Sequence, residues 1–228
     1  MSGRQLPLPL AAETALTRAD FVTAPGNSAA LAIIERWPDW PLHAVAIYGP
    51  AGCGKTHLAE IWLAKSGAMR VAPPFDVAGL SGRALVIEAA DDAVAADPEA
   101  FLHLFNQARE TGGFLLLTAA TQPSRWNVAL PDLRSRLATI PTIQVAVPND
   151  ALLAAVLAKH FSDRQLRPGP AVVDFLVARI ERSFATARDV VAALDEAALS
   201  GRREINIALA RTVLEQTAAE KQSDLGLS

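Results

Sequence analysis

The stretch Gly49-Pro50-Ala51-Gly52-Cys53-Gly54-Lys55-Thr56 limits what this chain can fold into more than any other segment. It fits the pattern G-x-x-x-x-G-K-[ST] throughout, and both of its flanks suit it. The apolar β-type run Ala44 to Tyr48 ends immediately before it. A helical pattern opens at Lys55 and is terminated by Gly67. In such a strand–loop–helix the glycines let backbone N–H groups curl around phosphate oxygens, and the helix N-terminus adds positive potential. Lys55 is placed to reach the outer phosphates and Thr56 to put its hydroxyl on Mg²⁺. His57, next along the helix, is grouped with the nucleotide-binding residues. Cys53 fills a variable slot of the loop and reads as a small tolerated side chain.

The remaining pattern extends the α/β reading. Asn27 opens NSAALAIIERW, which has helical apolar spacing and stops at Pro38. Buried-strand runs follow at Arg83 to Ala89, Phe114 to Ala119 and Ile143 to Val147. Between them Asp97 as N-cap, Pro98 at the first helical position and Gly112 near the end mark a further helix. Strands alternating with helices predict a mostly parallel sheet covered on both faces. After Pro148 the pattern turns entirely helical, through DALLAAVLAKHF, PAVVDFLVARIER, TARDVVAALDEAALSG and INIALARTVLEQTAAEK. The expected organisation is therefore an α/β nucleotide-binding domain over 21–148 and a small all-helical domain over 149–221. A patternless arm (1–20) precedes them and a frayed tail (222–228) follows.

Charge and cysteine usage exclude several classes. The formal net charge is −3 and the basic residues form no dense run, so no bulk positive field draws the chain to nucleic acid. No direct sequence-specific DNA binding is expected. The single cysteine excludes an internal disulfide framework and a multi-cysteine metal site. Pro7 and Pro9 interrupt the N-terminal leucines, so there is no unbroken secretory h-region, and no segment approaches the roughly twenty apolar residues of a spanning helix. A cytoplasmic location without a membrane partner is expected.

From Phe21 to about Lys221 the order of motifs resembles the AAA+ ATPases, in particular the family of the replication initiator DnaA and its shorter relative Hda. The resemblance implies an AAA+ core with a parallel sheet followed by a helical lid, and ADP or ATP with Mg²⁺ as ligands. FVTAPGNSAALA is similar to the family's F-x-x-F-V-x-G-x-x-N segment, so Phe21, Val22 and Pro25 would flank the base. Leu85-Val86-Ile87-Glu88-Ala89 stands where the family has two acids at a strand end. Glu88 would share the Mg²⁺ with Thr56. Ala89 cannot serve as a base, and Asp91 or Asp92 could replace it only if the strand end bends back. The sensor 1 acid is also missing, with Thr118 or Thr121 as the only polar replacement. Leu130-Pro131-Asp132-Leu133-Arg134-Ser135-Arg136-Leu137 resembles L-x-D-L-x-S-R-[FL], which would make Arg136 an arginine finger working in trans on a neighbour's nucleotide. Arg134 falls on a variable position. Ala185-Thr186-Ala187-Arg188 resembles the start of the sensor 2 helix, which would fold Arg188 onto the chain's own nucleotide.

The opening arm completes the likeness. Gln5, Leu6, Leu8 and Leu10, spaced by Pro7 and Pro9, resemble the Q-L-x-L-x-L peptide that docks on the β subunit sliding clamp of DNA polymerase. Prolines lower the entropy lost on ordering, leucines fill an apolar groove and Gln5 supplies directional hydrogen bonds. The sequence ends at Ser228, soon after the last helical pattern, so the DNA-reading domain of the initiator is not expected here. Together these likenesses imply a negative regulator of chromosomal replication initiation that stimulates ATP hydrolysis by DnaA. Its partners would be the clamp and DnaA-ATP, with homodimerisation left open. The alternative is a self-sufficient AAA+ ATPase such as a helicase-loader or clamp-loader relative, and unaided ATP turnover separates the two.

Overall fold

The computed structural model describes residues 16–76, 79–201 and 203–225. Alternation within the apolar runs decides how its sheet is covered. In β1 (Ala44–Tyr48), Val45 and Ile47 belong to one buried cluster while Ala44 and Ala46 belong to another. Successive side chains leave a strand on opposite faces, so a fully buried strand needs cover on both. Among the described residues the sheet continues with β2 (Met69–Arg70), β3 (Ala84–Ile87), β4 (Phe114–Ala119) and β5 (Thr142–Gln144). All pairings are parallel and the spatial order is β2-β3-β4-β1-β5.

Helices cover both faces. On one face α1 (Ser28–Arg36) and α2 (Lys55–Ser66) bring Leu31, Ile34, Leu58 and Trp62 against Val45, Ile47, Val86 and Leu116. On the other, α3 (Ala90–Ala96), α4 (Pro98–Glu110) and α5 (Pro131–Thr139) bring Val94, Phe101, Leu104, Leu133 and Leu137 against Leu85, Ile87, Leu115 and Leu117. Burying one such side chain contributes about 1.5–3 kcal/mol, so each face supplies a substantial share of the core. The order sets β4 between β1 and β3, with Ile47 opposite Thr118 and Ile87 opposite Leu117. This brings the chain leaving β1, β3 and β4, at Gly49, Glu88 and Ala120, to one end of the sheet.

Beyond β5 the described chain is helical: α6 (Asp150–Asp163), α7 (Pro170–Val177), α8 (Phe184–Gly201) and α9 (Ile207–Leu225). They close on a core of their own that includes Leu153, Leu157, Phe161, Leu176, Val191, Leu194 and Val213. Local signals start and stop the elements as the sequence suggests. Asp97 accepts a hydrogen bond from the Ala100 N–H and Asn149 accepts one from the Leu152 N–H, each satisfying a free donor of a first helical turn. Gly67 ends α2 at a φ of 65°.

Several expectations are corrected. β5 spans Thr142–Gln144 rather than Ile143 to Val147, because the chain leaves the sheet there; the Val145 N–H still reaches the Tyr48 carbonyl at 2.8 Å. Asn27 precedes α1 but its side chain makes no cap. It accepts from the Ala24 N–H and donates to the Val22 carbonyl, which holds the segment before the helix instead. The arm expected up to residue 20 is anchored from Leu16 onward, since Thr17 and Asp20 close a turn and Arg18 pairs with Glu35 at 2.7 Å. α7 ends at Val177, and α9 continues to Leu225, into the expected tail. Gln5, Leu6, Leu8 and Leu10 lie outside the described residues.

Candidate nucleotide-binding site

The glycine loop is built by the elements on either side of it. The Gly49 N–H donates to the Ala119 carbonyl at 3.1 Å, tying the loop's start to the end of β4. Gly52 and Gly54 have φ of 71° and 99°, left-handed values that suit residues without a Cβ. Gly52 has no room for one and Gly54 has little. A Cβ at Gly52 would stand 2.2 Å from the Ser183 Oγ, and one at Gly54 would stand 3.1 Å from the Phe184 ring. The Phe184 N–H also donates to the Gly52 carbonyl at 3.0 Å. The start of α8 therefore lies directly on the loop. Gly52→Ala is expected to destabilise the protein by about 1–3 kcal/mol in denaturant melts, through the strained backbone and the displaced Ser183.

Lys55 is folded back on the same loop, its Nζ donating to the carbonyls of Gly49 at 2.7 Å and Pro50 at 2.8 Å. Pro50 and Ala51 are exposed. Cys53 is buried, and burial pushes its thiol pKa up, which keeps it protonated and unreactive at neutral pH. A cavity of about 310 Å³ opens between the loop, the segment 16–22 and helices α6 and α8. Gly52, Gly54, Lys55, Thr56 and His57 line it from the loop side, and Phe21 and Val22 from the segment. Arg188 lines it from α8, with its guanidinium paired to Asp189 at 3.0 Å. Pro25, expected beside the base, is exposed and stands outside the cavity. The turn that Asn27 holds together carries it away.

Two contacts keep the segment against the cavity. Burial holds the His57 imidazole below its usual pKa, so the neutral ring donates its Nε2–H to the Thr17 carbonyl at 2.8 Å. The same ring meets Phe21 edge-on, with centroids 5.1 Å apart. Across the opening, Lys159 of α6 pairs with Asp20 at 2.9 Å. Thr17 and Lys159 together lower the Asp20 carboxyl pKa. Sequence reasoning missed Asp20 and Lys159. No local pattern joins two residues so far apart in the chain.

Thr56 and Glu88, the two residues expected to share Mg²⁺, lie side by side. The Thr56 hydroxyl donates to Glu88 Oε2 at 2.9 Å. One hydroxyl and one carboxylate side by side fit Mg²⁺, which takes few protein ligands and fills its shell with water and phosphate oxygens. Among the described residues no cluster of three or more His, Cys, Asp or Glu offers a competing cation site. Past Glu88 the chain turns sharply, with Ala89 left-handed at a φ of 47°. Beyond this turn Asp91 does not line the cavity but reaches the end of β4. There its carboxylate oxygen Oδ2 accepts the Ala120 N–H at 3.0 Å. Asp92 is exposed, Thr118 is buried, and Thr121 is exposed.

Arg136 lies elsewhere. It sits on α5, pairs with Asp132 one turn back at 3.1 Å, and takes no part in lining the cavity. Among the described residues no helix is long and apolar enough to cross a membrane.

No family model matches the sequence. An uncharacterized protein of Haemophilus influenzae is 31% identical over 116 residues, which is 50% of this chain and 50% of that protein. The matched stretch thus spans half the length of the curated relative. Among solved structures, domain III of the Thermotoga maritima replication initiation protein DnaA superposes with a TM-score of 0.76 at 17% identity, covering 89% of this chain and 97% of that one. AMPPCP-bound DnaA from Aquifex aeolicus gives 0.65 at 14% identity, over 77% and 63%. A Thermotoga maritima RuvB variant gives 0.65 at 18% identity, over 83% and 67%. At these identities the likeness shows the fold. It is the fold shared by DnaA domain III and RuvB, a parallel five-stranded sheet with a helical C-terminal part.

Proposed function

We propose that this chain is an adenine-nucleotide-binding negative regulator of chromosomal replication initiation, acting in the cytoplasm. In this reading it docks on the DNA-loaded sliding clamp through Gln5, Leu6, Leu8 and Leu10, and stimulates ATP hydrolysis by DnaA. The observation that carries the reading is a site equipped to hold a nucleotide in which Ala89 stands at the strand-end position of the base. Ala89 has no proton acceptor, Glu88 is engaged by Thr56 and Arg70, and Asp91 accepts the Ala120 N–H.

The nucleotide would lie in the cavity, with Lys55 released from the Gly49 and Pro50 carbonyls onto the phosphates. Arg188 would answer phosphate charge from α8, and Phe21 and Val22 would flank the base. That DnaA has been solved with AMPPCP supports ADP or ATP as the ligand. Mg²⁺ held by Thr56 and Glu88 would neutralise phosphate charge. The helices α6 to α9 act as the lid of this site, since α8 rests on the loop.

In this reading Arg136 acts on a partner's nucleotide, which agrees with its place outside the chain's own cavity. Its tie to Asp132 is an i,i+4 surface pair worth about 0.3–0.5 kcal/mol, so releasing the guanidinium costs little. An arginine supplied in trans stabilises the charge that develops on the transferring phosphoryl group. DnaA itself would do the hydrolysis.

Two measurements test the proposal. Unaided ATP turnover by the purified chain is expected to fall well below about 1 s⁻¹, the low end of ordinary enzymes. Turnover inside that range would favour a self-sufficient ATPase. Turnover of DnaA-ATP should rise only with clamp, DNA and this chain all present. A rise that survives omission of the clamp would overturn the docking reading.

A further inference from the structure

The Glu88 carboxylate is held from two sides. Oε2 accepts the Thr56 hydroxyl at 2.9 Å, and Oε1 accepts the Arg70 Nε–H at 2.8 Å. Arg70 belongs to the edge strand β2, and its Nη2 also donates to Glu60 Oε1 at 2.5 Å. Glu60 lies on α2, one turn beyond Thr56. One guanidinium therefore bridges two carboxylates beside the residues that would hold the metal. A guanidinium stays charged at any working pH, and these two neighbours raise its pKa further.

We propose that Arg70 is a resident counter-ion for Glu88, which weakens the hold on Mg²⁺ and leaves nucleotide binding nearly independent of the divalent ion. The inference rests on the nucleotide-site reading and extends it to metal dependence. A cation arriving between Thr56 and Glu88 meets a carboxylate whose charge is already answered, and it is repelled by the guanidinium on the far oxygen. Removing that charge would leave Glu60 and Glu88 both unanswered and draw the metal in. The side chains of Arg70, Glu60 and Glu88 are 45, 35 and 31% exposed, so solvent screens the effect to a moderate size.

The test is calorimetric, on the full chain. ADP is titrated in EDTA and in Mg²⁺, and Mg²⁺ is titrated into the ADP-loaded protein. For the unmodified chain, ADP affinity should change by less than about threefold between the two conditions, a difference under about 0.7 kcal/mol. R70Q keeps a hydrogen-bond donor but loses the charge. It should bind Mg²⁺ about tenfold more tightly, or about 1.4 kcal/mol, and should make ADP affinity depend on Mg²⁺. R70K keeps the charge and should match the unmodified chain. Thermal melts should be unchanged in both variants, since Arg70 sits half-exposed at the sheet edge. An R70Q affinity for Mg²⁺ that is unchanged or weaker overturns the counter-ion role, as does an R70K that behaves like R70Q. A chain that binds no ADP in either condition overturns the nucleotide reading itself.

Discussion

Arg136→Ala is expected to end the stimulation of DnaA while leaving this chain's fold and nucleotide binding intact. An arginine supplied in trans to a transferring phosphoryl group is worth about 10³–10⁵ in rate, so the loss should be nearly complete. The fold should survive because the i,i+4 pair of Arg136 with Asp132 contributes little, while its buried neighbours Leu133 and Leu137 carry the packing of α5. Nucleotide binding should survive because Arg136 stands outside the cavity. The measurement is DnaA-ATP turnover on clamp-loaded DNA, alongside ADP titration of the variant. Arg134→Ala is the control. Arg134 is exposed on the same helix, and if its loss is the one that silences stimulation, the assignment within LRSRL is wrong by two residues.

Lys55→Ala should lower ADP affinity at least about a hundredfold, or about 2.7 kcal/mol. Hydrogen bonds to charged groups contribute about 1.5–3 kcal/mol each, and Lys55 would make more than one to the phosphates. Its present partners, the Gly49 and Pro50 carbonyls, are neutral backbone acceptors, and hydrogen bonds of this kind contribute about 1.5–3 kcal/mol each at most. Thermal stability without nucleotide should therefore fall by no more than these bonds contribute, while stabilisation by added ADP should vanish. ADP binding that is unchanged in calorimetry would remove the phosphate-loop assignment, whatever the cavity looks like.

Both predictions start from residues that local sequence marks, and the rest of the molecule divides along the same line. The glycine loop was legible because its chemistry is local. N–H groups that curl, a helix that starts at Lys55 and a strand that ends at Tyr48 all lie within one short segment. β1 and β4 were legible as long apolar runs, and α4 was legible from Asp97 and Pro98. β2 was not, since two residues, both exposed, hold too little periodicity to mark a strand. Nor was α3, a short alanine-rich turn that starts from a left-handed Ala89. Sequence determined that Ala89 could not act as a base. Only tertiary structure decided that Asp91 would accept the Ala120 N–H, because that depends on β3 and β4 lying side by side. The partners of Asp20 and Glu88 have the same origin. A carboxylate has no sequence period of its own. Whether Lys159 or Arg70 answers its charge is set by which segments the packed sheet and helices bring within hydrogen-bond distance.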